Sequence, residues 1–216
     1  MSAGHICSMI KHSPEALDEI ERITVSHYEA SAEAFWIGTK NHDVSQNTGA
    51  FLNALAPDGV QDILDLGCGP GRDLYTFKQL GHRPIGLDGS ASFVAMARAH
   101  SGCPVLHQGF LGLDIGVGCF DGVFANASLF HVPSQELPQV LETCHRALRP
   151  GGILFMSNPR GDAEGWQGDR YGNYLEFEQS SAQLEAAGFS VLDHYYRLQG
   201  RPRNQQSWLA IVCQAS

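Results

Sequence analysis

From Asp62 to Asp73 the chain reads DILDLGCGPGRD. Five residues of buried-strand character run straight into glycines at 67, 69 and 71, and a helical pattern follows. Glycine lets the backbone turn sharply where a strand gives way to a helix. It also lets a ligand lie directly against the main chain. The pattern predicts a strand–turn–helix unit with a ligand seated on the turn, a unit suited to a parallel sheet with helical crossovers.

The rest of the chain is consistent with that unit. Ser13-Pro14-Glu15 starts a helix, with Ser13 as N-cap, Pro14 at the first helical position and an acid in the first turn. Leu17, Ile20 and Ile23 follow at helical spacing, and the segment ends in the aromatic cluster Tyr28, Phe35 and Trp36. Ser45 to Ala56 reads as a second helix, closed by the turn Pro57-Asp58-Gly59. Strands are then predicted at 62–66, 83–87, 104–106, 121–125 and 153–156, with Pro84 weakening the start of the second. Helices are predicted at 74–80, 90–100 and 135–148. This alternation, at roughly 20–30-residue intervals, is that of βαβ units. Asn158 to Tyr174 is polar, Gly-rich and too long for a plain connection, so a functional role is expected there. A helix at 179–187 precedes two strands, 191–196 and 207–213, joined through the basic loop Gln199 to Asn204. Their close spacing suits an antiparallel hairpin and not a parallel crossover.

Composition narrows the function. The 216 residues suit one compact unit, divided into an N-terminal helical segment (1–57) and a sheet domain (58–216). A hydrophobic share of 43% with 17% charged residues excludes a disordered chain. Fourteen basic against 23 acidic residues leave a net charge of −9, the wrong sign for nucleic acid or an anionic membrane surface. No apolar run approaches the ~18 residues that span a bilayer, and Met1 to Ser13 lacks the apolar core of a signal peptide. The six cysteines (7, 68, 103, 119, 144, 213) form no C-x-x-C pair. The ten histidines show no H-x-x-x-H spacing, so no metal site is expected. Reduced thiols in a cytoplasmic protein are the expectation.

Asp88 ends the second strand, 23 residues after Asp65. An acid about 20 residues beyond a strand–glycine loop can accept hydrogen bonds from ribose hydroxyls, which implies a ribose-containing cofactor. The spacing G-x-G-x-G departs from the dinucleotide fingerprint G-x-G-x-x-G, which argues against a nucleotide-dependent oxidoreductase. A carboxylate at Asp65 would repel a pyrophosphate and attract an ammonium or sulfonium, so a cationic cofactor is favoured.

Four segments in order then carry a family resemblance: ILDLGCGPG (63–71), GLD (86–88), FDGVFANASLFHV (120–132) and RALRPGGIL (146–154). Over about residues 60–157 the chain resembles the class I S-adenosylmethionine (SAM)-dependent methyltransferases. The resemblance implies a Rossmann-like, doubly wound seven-stranded sheet, six strands parallel and the last antiparallel, with helices on both faces. YEASAEAF (28–35) looks like the cofactor-covering segment of small-molecule members, which makes 1–57 a helical cap over the cofactor site.

Position by position, the resemblance implies that Asp65 organises the loop near the methionyl ammonium, and that Gly67 and Gly69 let the cofactor approach. Cys68 lies within the loop with no nucleophilic role. Asp88 would hold the ribose hydroxyls, Gly89 and Ser90 would flank the adenine, and Asn126 would touch the methionyl end. The family often carries Asp near position 109, bonded to the adenine amine, whereas this chain has Gln108-Gly109-Phe110. Either the amine goes unpaired or Gln108 meets it, with Phe110 offering a backbone amide and an apolar face. Tyr28, Phe35 and Trp36 could lid the cofactor, with a cation–π contact to the sulfonium open to them; core aromatics on an amphipathic helix are the alternative.

Methyl transfer from a sulfonium is an in-line displacement whose leaving group is a neutral thioether, so no acid is required. A base is required only where the acceptor carries a proton. His131, just past the fourth strand, is the candidate base; a structural or orienting role is the alternative. His42, paired with Asp43, Arg160, Arg170 and Tyr171 are candidates for substrate binding. Arg160 and Arg170, with Arg201 and Arg203 from the last hairpin, would suit a carboxylate or phosphate. The expected function is methylation of a small, anionic acceptor, with S-adenosylhomocysteine as the other product. A protein or RNA substrate is the alternative, although Asn126-Ala127-Ser128-Leu129 lacks the stacking aromatic used on base amino groups. A non-catalytic SAM-binding role would be marked by a decayed loop or a lost Asp88, and neither is seen.

Overall fold

β1 (Asp62–Leu66) is buried on both faces, as a strand covered on both sides by helices must be. Ile63 points into a cluster with Phe51, Phe77, Phe124 and Phe155, and Leu64 and Leu66 into another with Val123, Ala125, Leu141 and Met156. The computed structural model describes residues 11–56, 59–197 and 201–216. Cys7, Pro57 and Asp58 of the expected turn, Gln199 and Gly200 of the expected basic loop, and the side chain of Arg203 lie outside the described residues.

Beside β1, the main sheet contains β2 (Arg83–Asp88), β3 (Val105–His107), β4 (Phe120–Asn126), β5 (Leu148–Pro159), β8 (Phe189–Arg197) and β9 (Trp208–Ala215). Among the described residues its order is β3-β2-β1-β4-β5-β9-β8. β9 runs antiparallel to both β5 and β8, and the remaining pairs are parallel. The arrangement is the expected six parallel strands and one antiparallel strand. Pro84 is tolerated in β2 because pairing with β3 begins only at Gly86, so its missing N–H faces no partner strand.

α2 (Ser45–Ala54) and α3 (Arg72–Gln79) cover one face of the sheet, and α4 (Ala91–Ser101) packs beside α3. α5 (Leu137–Ala147) and α6 (Phe177–Ala186) cover the other. Phe51 of α2 is fully buried among core phenylalanines, so this part of the N-terminal segment belongs to the core. α1 (Pro14–Thr39) is one continuous 26-residue helix, started by the Ser13 hydroxyl accepting from Ala16 N–H. It packs against α4 and lies beside the loops that follow β1 to β4.

The polar stretch after β5 folds into a hairpin of β6 (Glu164–Gln167) and β7 (Arg170–Asn173). The hairpin braces α1: Tyr171 N–H donates to Thr24 Oγ1 at 3.1 Å. Among the described residues no helix is long and apolar enough to cross a membrane.

Candidate active site

The loops at the C-terminal ends of β1 to β4, with α1 across them, enclose a cavity of about 770 Å3. A crevice at the carboxyl ends of parallel strands is where open α/β sheets bind ligands. Gly67 is a tightly enclosed point of its wall. It has φ +78°, and a Cβ there would collide with Ser128 Cβ, so only glycine fits. Ser128 is locked from the other side, its hydroxyl donating to Leu66 O at 2.7 Å. Gly67 and Cys68 both donate to Leu87 O, which ties the loop to the end of β2.

Asp88 lines the cavity just beyond that tie. Gly69 N–H donates to its Oδ2 and Ser90 N–H to its Oδ1, each at 2.9 Å. Burial pushes its carboxyl up to about 6, opposed by those two backbone donors, so it is ionised at neutral pH. Each oxygen keeps acceptor capacity, and a vicinal diol supplies the matching donors. The donor set therefore fits the ribose of SAM. Ser90 has a further duty: its hydroxyl bonds Glu29 Oε2 and caps α4 at Phe93 N–H. Glu29 also accepts from Ser92 N–H and Oγ, which clamps α1 to the start of α4.

Tyr28, Phe35 and Phe93 form an aromatic wall, with ring centroids 5.2–5.8 Å apart. Trp36 also lines the cavity, its ring packed on His100. Asn126 is held by a polar chain in which Asn47 Nδ2 donates to its Oδ1 and its own Nδ2 donates to Asp73 Oδ2. Arg72 grips both oxygens of Asp73 at 2.9 Å. Ala127, with φ +64°, turns the chain after β4 and so directs Ser128 and His131 to the cavity.

Beside Tyr28, His131 Nδ1 lies 2.6 Å from the carbonyl of Tyr171. A carbonyl only accepts, so Nδ1 carries the proton and Nε2 presents its lone pair to the Tyr28 hydroxyl, 2.8 Å away. Burial pushes His131 down to about 4, so its imidazole is neutral at pH 7. Burial pushes the Tyr28 hydroxyl up, and the nearby Arg170 charge works against it. Arg170, Arg197, His42, Tyr174 and Trp208 also line the cavity.

Several expectations need correction. Asp65 is buried beneath the loop, accepts from Leu74 N–H and is not in the cavity wall. Burial and the neighbouring Asp73 carboxylate push its carboxyl up. Asp73 is the carboxylate that reaches the cavity on that side. Arg160 points away from the cavity, paired with Glu176 at 2.9 Å and stacked on Tyr196. The Tyr171 side chain is buried against His12 and Glu164, so only its backbone serves the site, through His131. Gln108 lines the cavity but spends its amide on the backbone of Asp114, donating to O and accepting from N–H. The Phe110 N–H is taken by Glu21. Asp43 accepts from Ser45 N–H and makes no hydrogen bond to His42. Arg201 is exposed and outside the cavity wall. Burial pushes the Cys68 thiol up, which keeps it protonated and unreactive.

Asp73, Asn47, Ser128, Glu21, Glu29 and Arg197 were not singled out by sequence reasoning. Asp73, Ser128 and Glu29 lie within quoted motifs, the glycine motif, 120–132 and 28–35. Asn47, Glu21 and Arg197 reach the site from segments that carried no such signal.

Residues 63–152 match a family model described as a methyltransferase domain. Among curated proteins, the ubiquinone biosynthesis O-methyltransferase of Pseudomonas aeruginosa (strain UCBPP-PA14) is 27% identical over 151 residues, 65% of this chain. The match spans 64% of that relative's own length. Among solved structures, the 1,6-didemethyltoxoflavin-N1-methyltransferase of Burkholderia thailandensis, with bound 1,6-didemethyltoxoflavin and S-adenosylhomocysteine, superposes with a TM-score of 0.75. It is 22% identical, over 96% of this chain and 93% of that one. The [4+2]-cyclase SpnF superposes with a TM-score of 0.71 at 17% identity, over 91% of this chain and 96% of its own. Likenesses at these identities establish the fold, and the cyclase shows that one fold hosts more than one reaction.

Proposed function

We propose that the chain is a class I SAM-dependent methyltransferase that transfers the methyl group to a small, anionic acceptor by in-line displacement. The single observation that carries this reading is one cavity whose wall holds both parts of the chemistry: Asp88 offers acceptors for a ribose, and Tyr28, His131, Arg170 and Arg197 line the same space. SAM, when bound, supplies a methyl group on a sulfonium whose departure leaves a neutral thioether.

The chain's own residues supply position, dryness and a route for a proton. α1 and the aromatic wall exclude water, and a closed site favours attack in line with the methyl. The neutral His131 Nε2 already accepts from Tyr28 O–H. As an acceptor hydroxyl or amine gives its proton to Tyr28 Oη, the Tyr28 proton passes to His131, and the Tyr171 carbonyl supports the resulting imidazolium through Nδ1–H. Neither Arg170 nor Arg197 has an ion-pair partner among the described residues. Two such guanidinium groups on the wall favour a carboxylate or phosphate on the acceptor. The small-molecule relatives and the acidic net charge support the same reading.

The test uses SAM labelled on the transferable methyl, incubated with a cell extract that is then separated by size. Label should enter the small-molecule fraction and a retained-anion subfraction of it. His131→Ala should slow transfer while binding S-adenosylhomocysteine as the wild type does. Label in the macromolecular fraction would overturn the small-acceptor reading.

A further inference from the structure

We propose that Glu21, on α1, selects the base of the cofactor by accepting a hydrogen bond from the exocyclic amine of adenine. The geometry begins at Gly109, in the loop after β3. A Cβ at this position would collide with the Glu21 carboxyl group, so the space a side chain would fill is occupied by a carboxylate from another element. Glu21 Oε1 accepts from Phe110 N–H at 2.6 Å and from Leu111 N–H at 3.0 Å. These bonds pin the carboxylate to the loop. Oε2 accepts from no described residue. Glu21 is part of the cavity wall, next to Val25 one turn along α1.

The neighbourhood identifies what this oxygen would meet. A Cβ on Gly89, the residue after Asp88, would touch Val25, Gln108 and Gly109. The loop after β3 therefore lies next to the end of β2, where the ribose diol would sit. Val25 and Phe110 line the cavity with Glu21, so a base attached to that ribose would meet their apolar side chains and turn its polar edge toward Glu21. A carboxylate only accepts. It complements the amine of adenine and repels the carbonyl that hypoxanthine carries at the same position. Glu21 thus supplies, from the N-terminal helix, the acid that Gly109 cannot, and adenine recognition depends on α1 being closed over the cavity. The inference rests on the assignment of Asp88 to the ribose.

The experiment is calorimetric titration of the full chain with S-adenosylhomocysteine and with its inosine counterpart. The wild type should prefer the adenine ligand by about tenfold or more, the effect of one hydrogen bond to a charged group. In Glu21→Gln the amide oxygen still accepts from Phe110 and Leu111, but an NH2 group replaces Oε2, faces the adenine amine donor to donor, and can donate to the hypoxanthine carbonyl. The preference should be lost or reversed in favour of the inosine ligand. In Glu21→Ala/Gly109→Asp the acid returns from the loop itself, and the preference should return with it. An unchanged preference in Glu21→Gln would overturn the proposal. So would a Glu21→Ala variant that weakens both ligands by the same factor, since Glu21 would then only brace the loop. Asp88→Ala should weaken both ligands equally; if both bind it as tightly as they bind the wild type, the ribose assignment itself fails, whatever Glu21 does.

Discussion

Replacing Asp88 by Asn probes the centre of the cofactor site with almost no change in shape. The carboxylate takes Gly69 N–H and Ser90 N–H at 2.9 Å each, and would take the ribose hydroxyls with its remaining lone pairs. Asn removes the charge and turns one acceptor into a donor. Losing one charge-assisted hydrogen bond costs about 1.5–3 kcal/mol, or roughly 10–150-fold in affinity. One of the two backbone N–H groups also loses its partner, which should cost roughly 1–3 kcal/mol of stability. The pH dependence adds a second signature. The diol binds the ionised carboxylate, so wild-type affinity for S-adenosylhomocysteine should be level above the Asp88 value of about 6. Below it, affinity should fall about tenfold per pH unit, and the Asn variant should be flat through the same window. Stability should run the other way. A raised carboxyl binds more protons folded than unfolded, so this group's contribution declines as pH rises from about 4 to about 6. Calorimetric titration between pH 5 and pH 8 measures the binding slopes. An Asn variant that binds as tightly as the wild type at pH 8, with an unchanged melting temperature, would refute the reasoning.

Gly67→Ala should be among the more destabilising single changes in the cavity wall. The left-handed backbone costs ~1–2 kcal/mol for a non-glycine residue, and the overlap with Ser128 adds roughly 1–3 kcal/mol. In urea unfolding, Ser128→Gly in the same background should recover the overlap and not the backbone cost. The two hairpin-region arginines should separate cleanly. Arg160→Met should lower stability by up to about 1 kcal/mol through the loss of Glu176, with methyl transfer unaffected. Arg170→Met should raise KM for the anionic acceptor and leave S-adenosylhomocysteine affinity unchanged.

The glycine motif, Asp88 and the alternation of strands and helices were legible because each is a local demand on the backbone. Gly67 must be glycine because of its own φ and its nearest neighbour, and a strand that runs into such a turn specifies the unit around it. The closing antiparallel hairpin was legible from spacing alone. The hairpin within 158–174 was not, since Gly165, Gly168 and Gly172 mask strand character and its strands have four residues each.

Side-chain partnership was the other thing the chain did not disclose. Arg160 and Arg170 look alike in sequence, yet Glu176 claims one, and the other reaches the cavity. Asp65 and Asp73 flank the same glycines, but pleat and helix phase send Asp65 beneath the loop and Asp73 to the cavity. His131 was legible as a candidate, while its tautomer and its bond to Tyr28 came from contacts with residues 40 and 103 positions away in the chain. Sequence by itself determined the fold class and the place of the cofactor, because backbone geometry and burial pattern act over a few residues at a time. Tertiary structure decided which polar groups are spent on one another and which are left to meet a ligand. That depends on distances between elements far apart in the chain, as when Glu21 of α1 occupies the space that Gly109 leaves.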